Sequence, residues 1–99
     1  MAHLIVNHAT GTADKVPLAR LRTTIGRSAR SDVCIPDAFA SRLHAEVRQE
    51  TGGWVLLDLN SQNGTWVESR RVDRVELRAG VPVAIGRYSL VFDDTPLGA

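Results

Sequence analysis

The chain has 99 residues, of which 43% are hydrophobic and 23% are charged, and its formal net charge is +1. This composition predicts one globular domain over residues 1–99 and excludes a disordered chain, and the small net charge gives no general attraction to nucleic acid or membrane. The single cysteine, Cys34, excludes an intramolecular disulfide and a cysteine-cluster metal site. Its position in the apolar run DVCIP predicts a small, packed hydrophobic side chain.

No segment has the pattern of a targeting sequence or a membrane span. The first eleven residues, MAHLIVNHATG, lack a basic region and have too short an apolar run for a signal peptide. No apolar run approaches the roughly 20 residues that a membrane helix needs. The sequence therefore predicts a cytoplasmic protein, or a cytoplasmic module of a larger one.

Short segments of β-forming residues alternate with turn residues along the chain. The predicted strands are 3–7, 15–19, 22–26, 32–35, 44–50, 54–59, 65–68, 71–77, 81–86 and 88–93. No long window has the 3.6-residue period of an amphipathic helix, and Pro17, Pro36 and Pro82 fit edge strands or strand starts. The pattern predicts an all-β fold, an antiparallel β-sandwich of about ten to eleven short strands with binding loops at one end. We expect a core over about 4–92 and a loose tail at 94–99.

The chain contains the residue types of a hydrolase triad and of a histidine metal site, but it lacks the surrounding sequence or spacing that either site needs. Ser41, His44 and Asp58 have the side chains of a hydrolase triad, but no glycine-rich elbow surrounds Ser41 and the chain is too short for a deep pocket. His3, His8 and His44 lack the spacing of metal ligands. The sequence therefore predicts no enzyme activity, no metal site and no cofactor.

Three predicted loops, 26–32, 37–44 and 58–65, are rich in groups that bind phosphate. A phosphate on a protein carries roughly −1.5 to −2 charges and three acceptor oxygens, and it is bound by arginine forks, hydroxyl groups and backbone N–H groups on tight turns. The candidate side chains in these loops are Arg27, Ser28, Arg30, Ser31, Ser41, Arg42, Ser61, Gln62, Asn63 and Thr65. Several of them have an equally good interpretation as solvated or turn-ordering groups, above all Ser28, Arg30, Ser61 and Thr65.

Three motifs occur in a characteristic order: IGRS at 25–28, SRLH at 41–44 and DLNSQNGTWV at 58–67. Together they resemble the forkhead-associated (FHA) domain family, and the resemblance extends from about Leu4 to Phe92. It implies a small β-sandwich that recognises phosphothreonine peptides and mediates phosphorylation-dependent protein–protein interaction in Ser/Thr-kinase signalling. The implied partner is a phosphothreonine-containing protein or peptide, a Ser/Thr-kinase substrate, and neither nucleic acid nor membrane.

The resemblance also implies a role for each matching residue in binding the phosphopeptide. Arg27 and Ser41 would contact the phosphate, and Arg42 would add a contact to the same group. Asn63 would hydrogen-bond the peptide main chain beside the phosphothreonine, and Gln62 would contribute a further contact nearby.

Three further residues are implied to support the site structurally. His44 would brace the binding loops, while Gly26 and Gly64 would allow the backbone conformations that their turns require.

The chain departs from the family pattern at three places. Phe39 lies where some members carry a basic residue that reads an acidic side chain three residues after the phosphothreonine, so an apolar ligand residue is favoured there. Glu68-Ser69 stands where an Asn-Gly turn is usual, which suggests a looser hairpin, and Val81-Pro82 stands where an acidic residue often precedes the strand.

One alternative of another class remains open, a scaffold of the same fold that binds through its sheet faces whether or not threonine is phosphorylated.

Overall fold

The computed structural model describes residues 2–94, and its regular structure consists of strands. The strands are β1 (His3–Asn7), β2 (Ala13–Pro17), β3 (Arg22–Gly26), β4 (Val33–Cys34), β5 (Ala45–Glu50), β6 (Gly53–Asp58), β7 (Trp66–Val67), β8 (Arg70–Arg71), β9 (Arg74–Glu76), β10 (Pro82–Ile85) and β11 (Tyr88–Asp93). Residues 2–94 contain no helix that is long and apolar enough to cross a membrane. Apart from Asp94, the predicted tail 94–99 lies outside the described residues.

The strands form two sheets, which confirms the predicted all-β sandwich. The six-stranded sheet has the order β2-β1-β11-β10-β7-β8, and the five-stranded sheet has the order β4-β3-β5-β6-β9. Among the described strands the pairings are antiparallel except for β4, which pairs with β3 in parallel. Pro17 ends the edge strand β2 and Pro82 begins β10, where a missing N–H is tolerated.

Three of the predicted strands have the observed bounds. The predictions at 3–7, 22–26 and 88–93 coincide with β1, β3 and β11. The predicted strand 71–77 is wrong as a single element, because β8 belongs to one sheet and β9 to the other. The chain crosses between the sheets at Val72 and Asp73. There the main-chain N–H of Val72 donates to the carbonyl of Thr65, and the carbonyl of Asp73 accepts the main-chain N–H of Asp58.

The core lies between the two sheets and is filled by aliphatic side chains. The largest fully buried apolar residues are Leu4, Ile25, Ile35, Val47, Leu56, Val83, Ile85 and Leu90. Each contributes about 1.5–3 kcal/mol by leaving water. The prediction that Cys34 packs as a hydrophobe is wrong, since its side chain is exposed between the buried Val33 and Ile35. Successive side chains of an extended segment point to opposite sides, so only one set can enter the core.

The hairpin between β7 and β8 is tight, although its sequence suggests a looser connection. Trp66 pairs with Arg71 and Val67 with Arg70, which leaves only Glu68 and Ser69 in the turn. Both turn residues have positive φ, 50° and 67°, as a type I′ turn requires. Residues with a Cβ adopt this conformation at a cost, so the turn holds strain that Asn-Gly would avoid.

We therefore expect Ser69→Gly to raise the free energy of unfolding by about 1 kcal/mol, because glycine adopts positive φ without a steric penalty. Ser89→Gly, the same change inside β11, is the matched control and should lower stability by about as much. Urea denaturation of the two variants measures both effects. Equal destabilisation by the two changes would show that the turn at Ser69 is unstrained.

Candidate functional site

Two of the predicted binding loops are joined main chain to main chain. The N–H of Arg27 donates to the carbonyl of Ser41 at 2.9 Å, and the N–H of Ser28 donates to the carbonyl of Arg42 at 3.2 Å. The Nε–H of Arg27 donates to the carbonyl of Ala40 at 3.1 Å. This bond fixes the direction of the Arg27 side chain and leaves its two terminal nitrogens for another acceptor.

Gly26 allows this close approach of the two loops. A Cβ added to Gly26 would lie 2.1 Å from the carbonyl oxygen of Arg42 and 3.1 Å from the main-chain nitrogen of His44. Gly26 is not among the glycines with positive φ. The family resemblance implies an unusual backbone conformation at Gly26, but the structural requirement is the absence of a side chain.

His44 is fully buried and connects two binding loops. Its Nδ1 accepts the main-chain N–H of Ser41 at 3.0 Å, and its Nε2 lies 3.0 Å from the carbonyl oxygen of Gly64. Because Nδ1 accepts, the proton must be on Nε2, which donates to Gly64. The pair Ser41–His44 is therefore joined through the main chain of Ser41, which is not the geometry of a nucleophile and its base.

The neutral state of His44 makes stability depend on pH. Burial lowers the pKa of His44 below its ordinary value of 6.5, although the hydrogen bond to Gly64 and the carboxylate of Asp58 act in the opposite direction. As pH falls below 6.5, the unfolded chain binds a proton at this imidazole before the folded chain does. The free energy of unfolding should then decrease by up to about 1.4 kcal/mol per pH unit, until pH reaches the lower pKa of the folded state.

Urea denaturation between about pH 8 and pH 5 measures this dependence, because the buried carboxylates titrate at lower pH. In His44→Gln, the contribution of His44 to this decrease in the free energy of unfolding should be absent. Nitrogen-15 NMR of the wild-type imidazole should show the Nε2–H tautomer at pH 7, and this measurement does not depend on whether the variant folds. A His44 that titrates at its ordinary value would contradict the buried neutral state.

The third loop, 58–65, is ordered by Asp58. Its carboxylate accepts the main-chain N–H and hydroxyl of Ser61 and the hydroxyl of Thr65, the last at 2.8 Å. Burial raises the pKa of Asp58, but these hydrogen bonds outweigh it and the net pKa lies below the ordinary value. The Ser61 hydroxyl also accepts the N–H of Gly64, whose φ is 90°. Ser61 and Thr65 thus order the turn, which is one of the two interpretations that the sequence left open.

Gln62 and Asn63 join this third loop to the loop 37–44. The main-chain N–H of Gln62 donates to the hydroxyl oxygen of Ser41 at 3.1 Å, so the hydroxyl hydrogen of Ser41 remains to be donated elsewhere. The side-chain amide of Asn63 donates to the carbonyl of Phe39 at 3.0 Å, and the indole N–H of Trp66 donates to the carbonyl of Asn63. Asn63 is thereby held with its side chain beside Ser41 and Phe39.

The eight residues singled out in the sequence come together at one end of the sandwich and divide into two groups by burial. Gly26, His44 and Gly64 are buried. The side chains implied to contact the ligand are exposed, except for Ser41, which is half-buried; they are Arg27, Arg42, Gln62 and Asn63. The arrangement offers a guanidinium fork, a hydroxyl hydrogen and a side-chain amide to a ligand in solvent.

Two residues that support the site were not identified from the sequence. The buried carboxylate of Asp37 accepts the N–H of Phe39 at 2.8 Å, and it also accepts the N–H and Nε–H of Arg87 at 3.1 and 3.0 Å. The hydrogen bond from Phe39 is the main reason why the pKa of Asp37 lies below its ordinary value. Asp37 thereby ties the loop that carries Ser41 to the β10–β11 turn. The only sequence signal is the Pro-Asp pair after CI, since Arg87 is fifty residues away.

Arg71 is a third residue that the sequence did not reveal. Its guanidinium donates to the carbonyl of Ser61 at 2.9 Å and lies against Gly64.

Within residues 2–94, no group of three or more His, Cys, Asp or Glu side chains is arranged to hold a metal ion. The chemistry that the site offers is hydrogen bonding to an anion and to an adjoining peptide.

Comparisons with known proteins identify similar sequences and structures. The model of the FHA domain family matches residues 23–86. The glycogen accumulation regulator GarA of Mycolicibacterium smegmatis is 37% identical over 91 residues, which are 92% of this chain and 58% of GarA. The chain spans less than two thirds of the length of GarA and of the other curated relatives that match most of it.

Two solved structures extend the comparison. An FHA domain from a structural and functional analysis of phosphothreonine-dependent FHA domain interactions superposes with a TM-score of 0.83 at 28% identity, covering 96% of this chain and 99% of that one. EmbR of Mycobacterium tuberculosis, in complex with a low-affinity phosphopeptide, superposes with a TM-score of 0.78 at 28% identity, covering 94% of this chain and 24% of EmbR.

Proposed function

The chain belongs to the FHA domain family, and on this basis we propose that it recognises phosphothreonine peptides through Arg27, Ser41, Arg42, Gln62 and Asn63. It acts as a binding module that brings its own polypeptide, or a partner of it, to a substrate of a Ser/Thr kinase. We place this binding in the cytoplasm, where ATP-dependent kinases phosphorylate their substrates. Gly26, His44 and Gly64 maintain the site without touching the ligand.

The observation that carries the proposal is the unused donor capacity around Ser41. The Ser41 oxygen already accepts the N–H of Gln62, and the Nε–H of Arg27 is already bonded to Ala40. What remains is one hydroxyl hydrogen and the terminal nitrogens of Arg27, held on adjoining loops. A phosphate has three acceptor oxygens that match such a set, whereas a neutral hydroxyl does not.

The expected affinity is moderate. Hydrogen bonds to charged groups contribute roughly 1.5–3 kcal/mol each, so three of them contribute about 5–9 kcal/mol before the phosphate is desolvated and the peptide is ordered. We expect a dissociation constant near the micromolar range, which corresponds to a binding free energy of about −8 kcal/mol. A few directed hydrogen-bond donors bind the phosphate, so the protein does not need a net charge larger than +1 to attract its ligand.

The ligand residue that reaches Phe39 should be apolar. The Phe39 ring is 54% exposed, and its carbonyl is bonded by Asn63, the residue proposed to hold the peptide main chain. An exposed ring offers apolar area and no charge to an acidic side chain. Family members with a basic residue at the position of Phe39 select an acidic ligand residue. We therefore propose that this module selects an aliphatic or aromatic residue at the same ligand position.

Fluorescence anisotropy with a degenerate phosphothreonine peptide pool tests the function. Phosphoserine and unphosphorylated pools of the same design are titrated beside it. We expect micromolar binding of the phosphothreonine pool and no measurable binding of the unphosphorylated pool. Binding that is indifferent to phosphate would favour the scaffold that acts through its sheet faces, and the proposed reader function would be wrong.

A further inference from the structure

A second basic cleft lies beside the proposed phosphate site. It opens between the loops 26–32 and 41–43, and its lining consists of Thr24, Ser28, Arg30, Ser31, Arg42 and Leu43. Resting on the proposed function, we propose that this cleft binds a second anionic side chain of the same peptide, a phosphorylated or carboxylate residue close to the phosphothreonine. Of the two arginines, Arg30 belongs to this cleft alone, whereas Arg42 borders both sites.

The arginines of the cleft have no acidic partner. Five other arginines each lie within salt-bridge distance of a carboxylate; they are Arg20, Arg22, Arg48, Arg74 and Arg87. Within residues 2–94, no carboxylate or carbonyl accepts a hydrogen bond from the guanidinium of Arg30 or of Arg42. The positive charge of these two arginines is therefore available to a ligand.

Asp32, two residues from Arg30 in the sequence, already has partners of its own. Its carboxylate accepts the main-chain N–H of Thr24 at 2.9 Å and the hydroxyl of Thr24 at 3.1 Å, and it lies 3.5 Å from Arg20. These contacts, above all the main-chain bond, keep the pKa of Asp32 below its ordinary value. Asp32 is thus ionised but engaged, and it does not compete for Arg30.

The loop that carries Arg30 is ordered before any ligand binds. The Ser28 hydroxyl oxygen accepts the N–H of Arg30 at 3.2 Å, and the Ser28 carbonyl accepts the N–H of Ser31 at 3.0 Å. The N–H of Asp32 donates back to the Thr24 hydroxyl at 3.0 Å. The hydroxyl hydrogens of Ser28 and Ser31 are donors that no acceptor within residues 2–94 takes up. Because the turn is already fixed, it loses little conformational entropy when a ligand binds.

The cleft adjoins the proposed phosphate site at Arg42. It meets the central loop at Arg42 and Leu43, after Ser41, whereas Asn63 bonds the same loop at Phe39, before Ser41. An extended peptide advances about 3.3 Å per residue. Because the cleft and the phosphate site share Arg42, we place the second anion within about three residues of the phosphothreonine.

Anisotropy with paired peptides tests this inference. Each peptide carries a central phosphothreonine, and a second phosphothreonine, an aspartate or an alanine is placed in turn at each of the three positions on either side. We expect a second phosphate on one side to improve affinity about fivefold to tenfold over alanine, a moderate gain because the arginines are exposed. A gain with aspartate as well would assign the cleft to carboxylates in general, and a gain with phosphate alone would assign it to doubly phosphorylated ligands.

The variant Arg30→Gln should abolish that gain while binding the singly phosphorylated peptide within about twofold of wild type. Arg78→Gln removes the same charge from an exposed position outside the site and should keep the gain. No gain at any position, or a gain that persists in Arg30→Gln, would overturn the second site while leaving the reader function intact. Failure of the singly phosphorylated peptide to bind wild type would overturn the proposed function and this extension together.

Discussion

Replacing Gly26 with alanine should lower the free energy of unfolding by about 3 kcal/mol or more and should abolish ligand binding. The added methyl would stand 2.1 Å from the carbonyl oxygen of Arg42 and 2.8 Å from its carbonyl carbon. Both atoms are main chain, so no side-chain rotation can relieve the clash. The loop 41–44 would have to move away, which would break the bonds from Arg27 and Ser28 that join the two loops.

Gly80→Ala is the matched control for this expectation. Nothing lies within 4 Å of a Cβ built at Gly80, although its φ is 80°. The control should therefore cost about 1 kcal/mol, from backbone conformation alone, and leave binding unchanged. Urea denaturation and phosphothreonine binding of both variants measure the difference. If the two variants lose equal stability, the close approach of the loops is not what Gly26 provides.

Replacing Arg27 with alanine should weaken phosphothreonine binding by about 30-fold to 1000-fold while leaving the fold intact. The loss corresponds to one or two charge-assisted hydrogen bonds, about 2–4 kcal/mol. The side chain is exposed and its only hydrogen bond among residues 2–94 is the one to Ala40, so stability should fall by less than about 1 kcal/mol.

Two further variants separate the geometry of Arg27 from its charge. Arg78→Ala removes the same charge from an exposed position outside the site and should change affinity by less than about twofold, after screening by salt. Arg27→Lys keeps the charge but loses the planar fork, and about tenfold weaker binding is expected. Equal losses for Arg27→Ala and Arg78→Ala would mean that a diffuse field, and not the proposed site, attracts the phosphate.

Much of the fold follows from local sequence patterns. β-Forming residues between turn residues located β1, β3 and β11 at their observed bounds, and the resemblance carried by the three loop motifs implied that these loops form one site. The failures have non-local causes. In 71–77 the apolar residues Val72 and Val75 are three apart, so the alternation breaks between them. The segment belongs to two sheets because its two parts pair with β7 and β6, which lie in different sheets.

The supporting residues of the site show the same limit. The role of Gly26 depends on the main chain of Arg42, and the role of Asp37 depends on Arg87. Neither partner is a sequence neighbour, so composition and spacing carry little information about them. The residues proposed to contact the ligand are easier to single out, because most of their side chains are exposed and contribute little to packing.

Amide chemical-shift mapping tests the central claim most directly, that the loop end around Ser41 binds phosphothreonine. Nitrogen-15-labelled protein is titrated with the tightest phosphothreonine peptide from the anisotropy experiment and with its unphosphorylated form. We expect the largest shifts at the amides of Arg27, Ser28, Ser41, Gln62 and Asn63, with the phosphorylated peptide only. Shifts spread over strands of either sheet face, or the same shifts without phosphate, would contradict the account and identify a scaffold surface instead.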